Sequence, residues 1–260
     1  MGEAVLLLKI GKDDLAVLCA LLSIWICAII SANQAADSKA RTALAAEGPG
    51  MPVLIVDPGH GGLDGGAVSV TGTAESTINW AVSVRLRDLC RWLGLPIVMT
   101  RQQEEILYPE ELRSIAKHKR WDTRQRLGLI NGTADAFLLS IHQNTYPSTQ
   151  PSGPQTLYSR NETAAALARQ LQELLNDVLS PPYRRSAAAA GNDIYLMAHA
   201  ARPAVLVECG FLSNPREAAA LETPVYQKTL SVVLTAGWVR FTGDEHLESE
   251  NVVLLQGMRQ

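Results

Sequence analysis

Little in this chain supports a disulfide scaffold, a nucleic-acid surface or a nucleotide site. It has four cysteines in 260 residues, and Cys19 and Cys27 lie inside an apolar run, which leaves Cys90 and Cys209 in the body. Cys90 falls in a helical pattern and Cys209 beside an acid, so free buried thiols are expected rather than a framework of bridges. Positive charge is scarce too: the net charge is −3 and the pI near 6.0. The footprint of a polyanion binder is missing, and no nucleic-acid partner is expected. No Gly-Lys-Ser/Thr follows the glycine-rich stretch at residues 59–66, and its spacing is not G-x-G-x-x-G ahead of a helix. A phosphate-cradling loop is therefore disfavoured.

What is present points to one exported domain of ordinary size. Hydrophobic content of 47% and charged content of 19% suit a globular protein, and the length beyond an N-terminal apolar segment is enough for a substantial core. Leu15–Ile30 carries no charge, follows Lys9 and Lys12, and precedes small residues from Ser31 onward. It reads as an export signal; cleaved peptide and retained membrane anchor both fit residues 1–32. Residues 33–51 have linker composition. The domain is expected over residues 52–242, with 243–260 as a loose tail.

Within the domain, apolar runs alternate with amphipathic stretches. Val53–Val56 is a continuous apolar run ended by Asp57, Pro58 and Gly59, as in a strand buried on both faces. Glu75–Leu93 places Ile78, Val82, Leu86, Leu89 and Leu93 at helical spacing and stops at Gly94. Leu95–Met99, Ala136–Ile141, Gln155–Tyr158 and Ala204–Glu208 read as further strands. Asp122–Asn131, Thr163–Leu179 and Pro224 to about Arg240 read as helices. Gln102–Trp121, dense in charge of both signs, reads as a solvated excursion. The class is α/β with a single domain.

The chemistry concentrates where strands end. His60 sits on a glycine-rich turn after a strand, where the backbone bends tightly and approaches a ligand closely. Glu75 heads a helix, a place that favours an acid even without a metal. His142 ends an apolar strand. Two imidazoles and a carboxylate at one rim of a sheet match the three-ligand pattern of a catalytic zinc, which keeps one position open for water. Glu208 ends the strand AVLVE, where a buried carboxylate requires a nearby cation or a raised pKa, and either suits a general base. Cys209, next to it, should point to the opposite face of the strand. Asn144 either orients substrate or satisfies the backbone. His118, His199 and His246 lack such placement, with His199 a weaker candidate for the cleft rim.

The ordered set IVDPGHGGLDGG, the helix-leading Glu75, SIHQN and VECGFLSN resembles the zinc-dependent N-acetylmuramoyl-L-alanine amidases, from about Val53 to Phe241. The resemblance implies a mainly parallel six-stranded sheet flanked by helices, zinc on His60, Glu75 and His142, and Glu208 as the catalytic acid–base. It also implies peptidoglycan as substrate, cut between the lactyl group of muramic acid and L-alanine. QTLYS and YLMAHAARPAVLVECGFLSNPRE are similar to the germination-specific type of that family. That type acts on spore cortex toward muramic δ-lactam, with a deacetylase acting next and, in some members, a partner lipoprotein. An extracytoplasmic site, in the intermembrane space of the developing spore, follows from the same likeness. An exported zinc peptidase and a catalytically silent wall-binding module are the alternatives.

Overall fold

The structure, a computed structural model, describes residues 50–257, with side chains through Gly243. The expected export segment Leu15–Ile30 and most of the linker lie outside the described residues. Among the described residues no helix is long and apolar enough to cross a membrane.

The unit from Met51 onward is built on a six-stranded sheet in the order β2-β1-β3-β6-β4-β5. β1 is Val53–Pro58, β2 Ile97–Met99, β3 Ala136–Asn144, β4 Gln155–Tyr158, β5 Ala188–Ala189 and β6 Ala204–Phe211. All neighbours are parallel except β4 and β6, so the sheet is mainly parallel, as the resemblance implies. The helices are α1 (Glu75–Trp92), α2 (Ile115–Gly132), α3 (Glu162–Leu179), α4 (Tyr195–His199), α5 (Pro215–Leu221) and α6 (Pro224–Gly257).

Alternation along each strand sorts the core into two layers. Leu54, Val56, Leu139, Ile141, Val205, Val207 and Cys209 join residues of α1, α3 and α6 on one face. Ile55, Leu138, Ala204 and Leu206 join Ile130 of α2 and Met197 of α4 on the other. Each large apolar side chain so buried contributes about 1.5–3 kcal/mol. Covering both faces is what the unbroken apolar runs of β1, β3 and β6 require.

Several boundaries differ from expectation, and each difference has a cause. β3 and β6 run past Ile141 and Glu208 because the ladder continues through His142↔Glu208 and Asn144↔Phe211, across an irregularity between His142 and Asn144. The two site residues thus lie inside strands instead of ending them. α2 begins at Ile115, earlier than Asp122, with Ser114 capping by accepting the Lys117 N–H. The apolar signal is weak there because α2 fully buries just Arg126 and Ile130, and a polar anchor replaces the usual stripe. The preceding segment is mostly exposed, as expected of a solvated excursion, but it is anchored on the glycine-rich turn. Ile106 and Tyr108 lie against Gly61 and Gly62, and the Tyr108 hydroxyl donates to the Gly61 carbonyl at 3.3 Å. The backbone of α6 is helical through Gly257.

Candidate metal centre and catalytic cleft

Four elements deliver the site to the carboxyl end of the parallel strands. The turn after β1 brings His60, the first residue of α1 brings Glu75, β3 brings His142 and β6 brings Glu208. One ligand atom each from His60, Glu75 and His142 lies within 4.8 Å of the others. The two imidazoles meet edge to face with centroids 5.0 Å apart. Glu75 stands between them, with Oε1 3.0 Å from His142 Nδ1 and Oε2 3.3 Å from His60 Nε2. Donors held tetrahedrally at ~2.0–2.1 Å from one ion stand about 3.3 Å apart, so this nitrogen, oxygen, nitrogen set fits zinc with small adjustments.

The carboxylate is fixed before any metal arrives. Glu75 Oε2 accepts the Ala67 N–H at 3.0 Å, and Oε1 accepts the Gln143 N–H at 3.1 Å and the Asn79 amide at 3.2 Å. Burial pushes its pKa up, but hydrogen bonding and charge from His142, with His60 and the Ala67 amide, outweigh that and bring it to about 2. A permanently ionised acid is what a metal ligand must be.

His60 is held from outside its ring. Its Nδ1 lies 3.0 Å from Asp64 Oδ2, while Lys119 Nζ and the Gly66 N–H engage Asp64 Oδ1 at 2.9 and 3.2 Å. A carboxylate behind a histidine fixes its tautomer and raises its basicity as a ligand. Asp64 is a candidate site residue that motif reading passes over; its signal is an acid four residues after His60 in a turn otherwise made of glycine and leucine. His60 itself has φ 58°, a left-handed conformation that costs a non-glycine residue on the order of 1–3 kcal/mol.

Room for the two rings comes from two glycines. A Cβ on Gly59 would clash with the His142 imidazole, and one on Gly66 would come within 2.6 Å of Glu75 Oε2 and 2.7 Å of the His60 ring. Gly66 also needs its freedom at φ 70°.

Beneath the ligands lies a polar layer. Asp57 accepts from Thr100 and Ser140 hydroxyls, both at 2.6 Å, and pairs with Arg126 at 2.8 Å. Burial raises its pKa, yet the Arg126 charge and the two hydroxyls more than reverse this, so Asp57 stays ionised. Ser140 of SIHQN thus serves the layer under the candidate metal ligands. Asn144 acts through its backbone, its carbonyl accepting the Leu212 N–H at 2.8 Å.

Glu208 sits in β6 directly opposite His142 in register. Its Oε2 is buried without a hydrogen-bond partner. Burial, then the Glu75 charge, raise its pKa to about 7 against the opposing pull of His142 and His60. A carboxyl balanced between its two protonation states near neutrality can both take and give a proton. Cys209 faces the other way into the core, and burial pushes its thiol up to about 12. That excludes it as a nucleophile. His199 is not on the cleft rim: it ends α4, which leads into the opposite end of β6, and stacks on Tyr195 at 4.1 Å. His118 packs on Tyr108 at 4.4 Å, and the His246 side chain lies outside the described residues.

Comparison with known proteins shows what the chain is similar to. The family model for N-acetylmuramoyl-L-alanine amidase matches residues 54–237. The germination-specific N-acetylmuramoyl-L-alanine amidase of Bacillus subtilis is 36% identical over 193 residues, covering 73% of this chain and 79% of its own length. The solved structure of the CwlD amidase from Clostridioides difficile in complex with the GerS lipoprotein superposes with a TM-score of 0.70 at 30% identity, covering 74% of this chain and 98% of that one. The catalytic domain of CwlV, an N-acetylmuramoyl-L-alanine amidase of Bacillus (Paenibacillus) polymyxa, gives a TM-score of 0.62 at 25% identity, with 74% and 98% covered.

Proposed function

The chain belongs to the N-acetylmuramoyl-L-alanine amidases, and from that membership we propose that His60, Glu75 and His142 hold a catalytic zinc while Glu208 moves the protons. It is a peptidoglycan hydrolase that opens the amide between the lactyl group of N-acetylmuramic acid and L-alanine. The observation that carries the residue assignment is the meeting of the three donors within 4.8 Å, with Glu208 opposite His142 in register and its Oε2 buried without a hydrogen-bond partner.

Bound to those three side chains, zinc supplies Lewis-acid polarisation of a carbonyl and acidifies a water. The chain's own groups do the rest. Glu208 accepts a proton from the attacking water as its oxygen bonds to the lactyl carbon. The carbon–nitrogen bond then breaks, and Glu208 returns the proton to the leaving alanine nitrogen, giving a free carboxyl group on the sugar and an amine on the stem. Asp64 keeps His60 oriented, and Asn79 and the Gln143 amide hold Glu75 still.

The likeness to a germination-specific relative supports spore cortex as the substrate and a first step toward muramic δ-lactam, after which a deacetylase would act. The lipoprotein complex of the C. difficile relative supports an accessory lipoprotein as partner. The segment Leu15–Ile30 suits delivery outside the cytoplasm, either cleaved or kept as an anchor, with the intermembrane space of the developing spore as the site of action.

Digestion of intact peptidoglycan with the zinc-loaded chain, before and after chelation, tests the reading. New L-alanine amines beside bare muramic acid, lost on chelation and restored by zinc, are expected. Shortened stems would make the chain a peptidase, and no release at all would make it a wall-binding module.

A further inference from the structure

Three successive carbonyls around His60 are each held by a side chain from a helix. Asn79 of α1 donates to the Gly59 carbonyl at 3.1 Å. Arg126 of α2 takes the two on either side, donating from Nη1 to the Pro58 carbonyl at 2.7 Å and from Nη2 to the His60 carbonyl at 2.6 Å. Every peptide plane that sets where the His60 Cβ leaves the backbone is therefore pinned. Arg126 supplies two of the four side-chain bonds, since Arg101 Nε adds a longer one to the Pro58 carbonyl at 3.3 Å, and the bond to the His60 carbonyl is its own.

The guanidinium is built for this task. It is 4% exposed, and its remaining donors meet Asp57 Oδ1 at 2.8 Å and Asp122 Oδ2 at 2.7 and 2.9 Å. Two carboxylates balance its charge and lock the plane of the fork, which a flexible ammonium would not achieve. Stability alone does not account for such a group, since a buried ion pair is often no better than well-packed apolar side chains. One turn further along the same helix, Ile130 packs on the sheet by apolar contact. What an apolar residue at 126 would lack is the grip on the two carbonyls.

We propose that Arg126 is a positioning residue for the metal ligand His60. It holds the strained left-handed turn so that the imidazole stays aimed at Glu75 and His142, without touching the ring or the substrate. The inference rests on the reading of His60, Glu75 and His142 as a zinc site.

The test compares the full chain with Arg126→Lys, Arg126→Gln and Asp122→Asn. The readouts are zinc affinity by competition with a chromophoric chelator, the visible spectrum of the cobalt(II)-substituted protein, and thermal unfolding of the metal-free form. Arg126→Lys can serve one carbonyl at a time, so it should melt cooperatively yet bind zinc about 10–100-fold more weakly, with an altered cobalt spectrum. Asp122→Asn, which leaves the guanidinium in place but frees its plane, should show a smaller shift of the same kind. Folded Arg126 variants with wild-type affinity and spectrum would overturn the proposal. Should those variants fail to fold, wild-type affinity and spectrum in Asp122→Asn would overturn it equally. A wild-type chain that binds no zinc would instead defeat the metal-site reading itself.

Discussion

His142 and Glu208 are register partners on the neighbouring parallel strands β3 and β6, so a candidate metal ligand and the candidate proton carrier share one face of the sheet by strand geometry alone. Because Glu208 Oε2 has no partner and its pKa is raised to about 7, Glu208→Gln should fit without strain. Zinc content is expected to stay at the wild-type level while the rate of stem release falls by about 10²–10⁴-fold. Loss of metal in this variant would remove Glu208 from the proton-carrying role.

The same shift fixes a stability prediction for the metal-free protein. A carboxyl whose folded pKa lies above its ordinary value of 4.5 binds more protons folded than unfolded between that value and about 7. Stability must then fall as pH rises through this window, by up to about 3 kcal/mol at full ionisation. Denaturant titrations at pH 5 and pH 7.5 should show a smaller decline for Glu208→Gln than for wild type. Equal declines would mean that the carboxyl is not desolvated.

Asp57 works in the opposite direction. Its folded pKa is lowered despite complete burial, chiefly by Arg126 and the Ser140 and Thr100 hydroxyls. Its contribution is present above the ordinary value of 3.8 and is lost as pH falls through the lower folded value. Asp57→Asn removes one of the two carboxylates on Arg126 and leaves Asp122 as the other, which should cost about 1.5–3 kcal/mol in urea unfolding at pH 7. A much smaller loss would mean that Asp122 alone balances the guanidinium.

How much of this was legible in the residues depends on what each signal measures. Apolar runs and helical spacing mark elements that bury apolar area, so β1, α1 and α3 stand where expected. The four principal side chains are legible for a related reason: a histidine or acid beside glycine or at the edge of an apolar run has few bland explanations. Periodicity is blind to polar burial, and α2 hides its first two turns because it docks through Arg126. Asp64 and Asn79 are equally hidden, since each acts by a hydrogen bond to a neighbour, His60 Nδ1 and the Gly59 carbonyl, that only the folded turn brings close. The true ends of β3 and β6 depend on pairing with each other, which neither run contains.

The glycines of the turn carry a further expectation. Gly59→Ala drives a methyl group against the His142 ring, and Gly66→Ala crowds Glu75 and His60 at a positive φ. Both should retain cooperative unfolding while losing at least tenfold in zinc affinity, because the displaced groups are the ligands themselves. Gly128→Ala is the control: nothing lies within 4 Å of its Cβ position on α2, so it should leave zinc binding unchanged and stabilise by about 0.4–1 kcal/mol. Equal zinc affinity in all three would mean that the ligand rings are not confined by the turn.

The last motif residues, Ser213 and Asn214, together with Glu217 three residues further on, act on the loop joining β3 to β4 beside the cleft. Ser213 Oγ accepts the Tyr146 N–H at 3.1 Å, Asn214 donates to the Pro151 carbonyl at 3.2 Å, and Glu217 accepts the Gly153 and Phe211 N–H groups at 2.7 and 2.8 Å. Glu217 therefore ties the loop to the end of the strand that carries Glu208. Removing its carboxylate leaves two backbone donors unpaired, at about 1–3 kcal/mol each where water cannot replace it. Glu217→Ala should loosen the cleft border while the ligands, attached to other elements, keep their metal. Zinc content at wild-type level with a several-fold rise in KM, larger than any fall in kcat, is expected. Glu217→Gln, which keeps one acceptor oxygen, should recover part of the loss. A fall in kcat alone, or a loss of zinc, would mean that the clamp supports the catalytic groups instead of the substrate border.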